Sequence, residues 1–173
     1  KGISSANDQA GNKNFDKDGI DESVFRAGIN QKINDKLLLR FTAQLSKYKT
    51  DLDAGQFTDD ADYTTTTKNS VASIGADYNF GKSKIHFNYN YNQTQRVYLD
   101  DSTSISGFAK YSRGEYNGKA HFVEAYSNLF AAKNADVLVG ADYRSQITDQ
   151  DYLSISNFGP YTTALGDSAK VKQ

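Results

Sequence analysis

Cysteine, methionine and tryptophan are absent from this chain of 173 residues, and it holds one proline and two histidines. Without cysteine there is no disulfide framework, no thiolate metal site and no cysteine nucleophile. His86 and His121 stand too far apart in sequence, and too poorly accompanied, to suggest a histidine metal site or catalysis. An excess of charge of one sign is missing too: 20 basic against 21 acidic residues leave a net charge of −1, which argues against the basic surplus a nucleic-acid binder needs for phosphate contacts. Long apolar runs are also lacking. The longest, Leu37 to Leu39 and Leu129 to Ala132, fall far below the roughly 20 residues of a spanning helix. No Gly-x-Ser-x-Gly elbow, phosphate loop or paired-carboxylate signature points to an enzyme. The sequence starts at Lys1 without an apolar segment of signal-peptide type, and the expectation is a processed product or an internal piece.

Aromatic residues, by contrast, are plentiful: 12 Tyr and 10 Phe sit in a chain of polar average, a combination unlike that of disordered segments. Their placement follows a period of two. From 37 to 48, Leu37, Leu39, Phe41, Ala43 and Leu45 alternate with Arg40, Thr42, Gln44 and Ser46, the pattern of a strand with one apolar and one polar face. From 85 to 97, Ile85, Phe87, Tyr89, Tyr91 and Val97 alternate with His86, Asn88, Asn90, Asn92, Thr94 and Arg96. Residues 71 to 80 and 137 to 146 repeat the pattern, and 24 to 30 form a shorter strand with Phe25, Ala27 and Ile29 on one side. The segment 119 to 130 is β-like, but either Val123, Ala125 and Leu129 or Phe122, Tyr126 and Phe130 could be its apolar face.

About six strands result, and turn chemistry at Asn34-Asp35-Lys36, Gly81-Lys82-Ser83 and Lys133-Asn134-Ala135 joins them in pairs. The other connections, at 50 to 66 and 99 to 116, are long and polar, as are the terminal segments 1 to 21 and 149 to 173. Turns recur close to every 50 residues, a kelch-like spacing, but a propeller blade fits four short strands into that length where this chain has two. Strands of about a dozen residues exceed the soluble average of about 5 to 6 and reach the about 9 to 11 of a transmembrane strand. The fold class expected is all-β: an antiparallel transmembrane β-barrel segment with short periplasmic turns and long extracellular loops, 1–173 being part of one barrel domain. Tyr78, Phe80 and Phe87 near one turn, and Tyr48, Tyr91, Tyr98 and Tyr126 toward the long loops, are expected to form two interfacial girdles.

Phe57-Thr58-Asp59-Asp60, Tyr78-Asn79-Phe80-Gly81, Phe87-Asn88-Tyr89-Asn90-Tyr91 and Arg96-Val97-Tyr98-Leu99-Asp100-Asp101-Ser102, with the later Tyr111-Ser112-Arg113-Gly114-Glu115-Tyr116-Asn117-Gly118-Lys119, His121-Phe122 and Gly140-Ala141-Asp142-Tyr143, resemble the barrel portion of TonB-dependent outer-membrane receptors. The family's TonB box and plug are absent from this sequence. The resemblance implies a 22-stranded, plugged barrel in the outer membrane of a Gram-negative bacterium, of which these residues would be an internal fragment. It implies active import of a scarce ligand, a metal chelate or a corrinoid, powered through TonB. The partners it implies are outer-membrane lipid, the remainder of the barrel and its plug, TonB and the small-molecule ligand, with room for a surface lipoprotein.

Two sets of candidate site residues follow. The polar strand faces carry Arg40, Gln44, His86, Asn88, Asn90, Asp142 and Arg144, which in such a receptor face the lumen, the plug and the transport path. The run from Asn14 to Glu22, with Asp16 and Asp18, matches the first half of a calcium loop, although its twelfth position is Phe25 where a bidentate Glu belongs. A second acidic loop carries Asp51, Asp53, Asp59, Asp60 and Asp62 with no Lys or Arg from Thr50 to Thr67. Mutual repulsion there is relieved by a cation or a basic ligand, so the loop is read as a calcium site or a vestibule for a cationic ligand. The resemblance adds that cobalamin receptors of that family bind calcium in acidic extracellular loops, which bears on the Asn14 run. Asn14, Asp16, Asp18, Glu22, Asp59 and Asp60 are therefore the calcium candidates, against the plainer reading of solvated polar loops. Two other functions remain open: a passive porin-type barrel, and a soluble β-rich binding or adhesion module.

Overall fold

The computed structural model describes residues 2–4, 18–54, 59–101, 109–132, 135–159 and 161–173. The regular elements among them are strands: β1 (Gly2–Ser4), β2 (Asp18–Lys32), β3 (Leu37–Asp51), β4 (Thr64–Phe80), β5 (Ser83–Asp100), β6 (Ala109–Ala132), β7 (Ala135–Ser156) and β8 (Thr162–Lys172). They follow one another across the sheet in chain order, each antiparallel to the next. β2 to β8 form a continuous seven-strand sheet, and β1 adds to the start of β2 through Gly2–Gly19 and Ser4–Asp18. The sheet is open: among the described residues no ladder joins β8 back to β2.

Tight turns and longer connections alternate between the two ends. At one end Asn34 Oδ1 accepts from the backbone N–H of Lys36 at 2.9 Å and of Leu37 at 3.0 Å, and Lys32 pairs with Asp35 at 2.7 Å. This is a side-chain-capped turn of the kind Asn favours. Gly81, at φ 62°, starts the two-residue turn from β4 to β5 and takes a backbone region that costs other residues strain. Of the third expected turn, Lys133 and Asn134 lie outside the described residues; Ala135 opens β7.

Cross-strand pairing resolves the two faces. One ladder row joins Ile29, Phe41, Ile74, Tyr89, Val123 and Tyr143; the next toward the turns joins Gln31, Leu39, Ala76, Phe87, Ala125 and Ala141. The apolar sets of all the expected strands thus share one face, and β6 contributes Val123 and Ala125 to it. Phe122 and Tyr126 stand on the other face, opposite Asn90 and His86. Among the described residues no apolar side chain is buried, and Phe25 (61% exposed), Ile29 (64%) and Leu138 (71%) stand largely open. This single layer has no core of its own. An apolar sheet face of this extent calls for a covering phase or partner.

The sequence-based expectation needs two corrections. The strands are longer and more numerous than about six: β3 to β7 run 15 to 24 residues, and 149 to 173, expected as a loop, contains the end of β7 and all of β8. The connections shrink accordingly to 52–63, 101–108 and 157–161. The girdle expectation fails at three positions. Tyr48 and Tyr98 lie on the polar face, paired with Glu22 and Gly114, and Tyr126 stands near the turns, its ring stacked 4.6 Å from that of His86. The all-β, antiparallel part of the expectation holds; the sheet is open, and no helix among the described residues is long and apolar enough to cross a membrane.

Candidate functional site

Toward the end opposite the tight turns, the polar face opens into a basin of about 940 Å³. Strand alternation builds it. Thr94, Arg96, Tyr98 and Asp100 project from β5 at every second position, and their β6 partners are Gly118, Tyr116, Gly114 and Ser112. Tyr98 and Tyr152 both pair with Gly114, so a residue without a side chain lies between two phenol rings. The Tyr116 ring meets Tyr98 edge-on at 6.0 Å and leans over Gly114, where an added Cβ would lie 3.4 Å from Tyr116 Cε2. Gly118 faces open space, with nothing within 4 Å of an added Cβ. Tyr63 closes the wall from the β3–β4 connection. Arg96 donates from Nε to Thr67 Oγ1 at 3.2 Å and from Nη1 to the Tyr98 hydroxyl at 3.5 Å, both neutral acceptors. Asp100 stands four residues further along β5, about 14 Å away along the extended strand.

Carboxylates form one rim of the basin. Asp60, Asp62 and Asp100 place ligand oxygens within 4.8 Å of one another. Asp60 is only 5% exposed, and its carboxyl is pushed up to about 6, by burial first and then by Asp62 and Asp100 beside it. Tyr63 is raised by burial and then by the neighbouring Tyr98, Asp100 and Asp60. Asp53 is raised by burial and then by the charges of Asp18 and Asp59. The rim therefore joins acids from the β3–β4 connection, from β5 and from the start of β2.

A second polar cluster lies near the turns on the same face. Asp77, 4% exposed, is ion-paired with Arg40; its Oδ1 lies 2.8 Å from His86 Nδ1, and its Oδ2 lies 3.5 Å from Lys84 Nζ. Arg40 Nη2 donates to Asn88 Oδ1 at 3.4 Å, and Asn88 Nδ2 donates to Glu124 Oε1 at 2.9 Å, so one network crosses β3 to β6. Gly75 makes room for it, since an added Cβ would come within 3.0 Å of both Arg40 and Asn88.

The register puts all seven expected lumen residues on this face. Arg40, His86 and Asn88 join the network, and Gln44 accepts from Arg26 Nε at 2.9 Å. Asn90 pairs in the ladder with Ser73 and Phe122, Asp142 stands opposite Glu124, and Arg144 lies over the Phe122 ring at 5.3 Å. The calcium candidates scatter. Asn14 and Asp16 lie outside the described residues, while Asp18 and Glu22 sit four residues apart on extended β2, about 14 Å, too far to share an ion. Asp59 belongs with Asp53, whereas Asp60 groups with Asp62 and with Asp100, a residue the sequence reading missed. The signal for Asp100 was available: the turn at Gly81 fixes a register in which Thr64 meets Leu99, which brings Asp100 beside the 59–63 segment. No family model, curated protein or solved structure matches the chain.

Proposed function

We propose that this sheet is wall of an outer-membrane β-barrel of the TonB-dependent receptor kind, apolar face in lipid and polar face on the lumen. Its task in this reading is energised uptake of a scarce ligand, a metal chelate or corrinoid. One observation carries the membrane reading: the apolar band ends along a diagonal. Counted away from the turns, its unbroken runs end at Phe25 and Leu45 on β2 and β3, then Ala72 and Tyr91 on β4 and β5, then Val123 and Tyr143 on β6 and β7; Ile147 on β7 and Val97 and Leu99 on β5 follow on the same face after polar residues. Each pair lies one ladder row, two residues, nearer the turns than the pair before. A step of about 3.4 Å along the strand for each about 4.8 Å across the sheet equals a tilt of about 35° to a flat boundary. Transmembrane barrel strands tilt by about 35–45°. From Leu37 to Leu45 the band measures about 27 Å along β3, or about 22 Å after that tilt, against an apolar belt about 25 Å tall.

In lipid both edges of the sheet require further strands, because unpaired backbone groups there cost several kcal/mol each. A plug, TonB and an outer-membrane location belong to the same reading. The tyrosine basin supports ligand binding over passive diffusion, since its rings can stack on a flat ligand while Arg96 and Asp100 hydrogen-bond its edges. The acidic rim is where calcium would bind in this reading.

The absence of tryptophan gives a clean test. Single substitutions Phe41→Trp and Tyr89→Trp on the apolar face, and Thr42→Trp and Asn90→Trp on the polar face, are reconstituted in vesicles with brominated acyl chains. Quenching of the first pair and not the second is expected; equal quenching, or none, sinks the membrane reading. Cyanocobalamin and ferric citrate titrated against the reconstituted chain test the binding role. Saturable binding of either, weakened by Tyr116→Ala, supports uptake, whereas no binding of both favours a passive barrel.

A further inference from the structure

Beyond the diagonal boundary, the apolar-side face carries lysines within a few residues, alongside the isolated apolar residues Ile147 and Val97. Lys47 lies two residues past Leu45 on β3, Lys68 four past Ala72 on β4, and Lys119 four past Val123 on β6. On β8, Lys172 and Lys170 pair with Ser145 and Ile147, two and four residues past Tyr143 of β7. Lys47 and Lys68 are direct ladder partners, although like charges placed opposite each other repel. None of the five forms a salt bridge among the described residues, and Lys47, Lys68, Lys170 and Lys172 are exposed. In the rows that carry Lys47, Lys68, Lys119, Lys170 and Lys172 the one acid on this face is Asp149.

Lysines scattered by solvation would not keep pace with a sloping apolar edge. Five cations follow it at a spacing of two to four residues with only Asp149 beside Lys119 and Lys170 and Glu115 near Lys68, so the edge keeps an excess of positive charge that suits an anion running along it. We infer that Lys47, Lys68, Lys119, Lys170 and Lys172 form an outward belt that binds the phosphates of membrane headgroups on the loop side of the sheet. The inference rests on the membrane reading above and adds a partner to it, the phosphate-bearing lipid of that leaflet. The lysine stems cover the upper apolar rows while their ammonium groups reach the headgroup layer. Lysine as a point charge suits phosphates whose positions shift in a fluid layer. The repulsion between Lys47 and Lys68 is relieved when a phosphate lies between them.

The test is partition of the whole chain into phosphatidylcholine vesicles with and without a minor fraction of lipid A. Wild type is expected to bind the lipid A vesicles more tightly. The combined variant Lys47→Gln, Lys68→Gln, Lys119→Gln should lose that preference, by roughly five-fold per lysine and on the order of 100-fold for the three. A control with Lys32→Gln, Lys36→Gln and Lys82→Gln, all at the turn end, should keep it. Unchanged preference in the belt variant, or equal loss in the control, overturns the belt. Entry of wild type into both vesicles with no preference also overturns it and leaves the membrane reading standing. Entry into neither overturns both.

Discussion

Asp77 on β4 and His86 on β5 face each other across their ladder, Oδ1 and Nδ1 2.8 Å apart, and the same carboxylate holds Arg40 of β3. One acid thus ties three strands on the polar face close to the turns, where it is nearly inaccessible. Removing it leaves Arg40 and Lys84 side by side without their counter-charge. Asp77→Asn is expected to lower stability by about 3 kcal/mol, within the range for breaking a buried pair by deleting one partner. Asp149→Asn on the other face should change stability by about 0.5 kcal/mol or less. Urea unfolding midpoints in one detergent, compared for the two variants, check the difference; equal effects would sink the network's structural role.

Two glycines on neighbouring strands should respond oppositely to the same substitution. Gly140 lies beneath Tyr126, and a Cβ there would sit 2.7 Å from Tyr126 Cβ and 3.0 Å from the Ala125 carbonyl oxygen. Neither atom is the free end of a flexible chain, so the ladder itself has to shift. Gly140→Ala is expected to cost about 1–3 kcal/mol, the usual penalty of overpacking. Gly118→Ala meets nothing and should be neutral or slightly stabilising, since alanine restricts the unfolded chain. The same unfolding curves measure both, and the order of the two midpoints is the result to check.

How far the residues announced this arrangement depends on side-chain size. Phe41, Ile74, Tyr89 and Tyr143 alternate with polar residues so strongly that their strands and shared face are readable before any pairing is known. β8 hides because Ala164, Gly166, Ser168 and Ala169 give alternation little contrast, and Leu165 falls on the polar face, paired with Tyr152. The far ends of β4 and β6 fall within the expected loops 50 to 66 and 99 to 116 because Thr64 to Thr66 and Tyr111 to Tyr116 show no apolar alternation. Threonine and tyrosine favour strands there without an apolar side to reveal them. The basin was illegible for the same reason. It depends on Tyr98, Gly114 and Tyr152 meeting across three strands, and a register is a property of pairs, not of one segment. Tyr48, Tyr98 and Tyr126 have the parity of the polar face, which nearness to a loop or turn does not reveal.

Burial and a second carboxyl together hold the Asp60 proton in the folded rim, with a value of about 6 against 3.8 for the ordinary group. The sign follows from which state binds the proton more tightly. Between about pH 4 and 6 the unfolded segment releases its proton while the folded rim keeps it, so rim stability falls as pH rises through that window. Below it both states are protonated and the rim is at its firmest. Amide exchange at Asp60 to Tyr63, corrected for the intrinsic pH dependence, should therefore show less protection at pH 7 than at pH 4. Asp60→Asn should flatten the difference. A steep dependence that survives in the variant would assign it to another group.

Ile74 and Ser73 are adjacent on β4, and their ladder partners Tyr89 and Asn90 carry the same contrast onto β5. Ile74 lies in the middle rows of the apolar band, 43% exposed, while Ser73 looks onto the polar face. If the band sits in hydrocarbon, a lysine at 74 has to bury its charge at mid-depth, which costs about 2–4 kcal/mol in a transmembrane barrel. A lysine at 73 meets water and neighbouring polar groups and should cost little. In plain solution both positions of an open sheet are wet, and Ile74→Lys would change stability by well under 1 kcal/mol. Folding free energies of Ile74→Lys and Ser73→Lys, measured in lipid vesicles and again in urea-containing buffer without lipid, separate the cases. A large penalty at 74 alone, present only with lipid, is the expected outcome. Equal penalties at the two sites in lipid would mean that the two faces have the same surroundings, which overturns the placing of the apolar face alone in hydrocarbon.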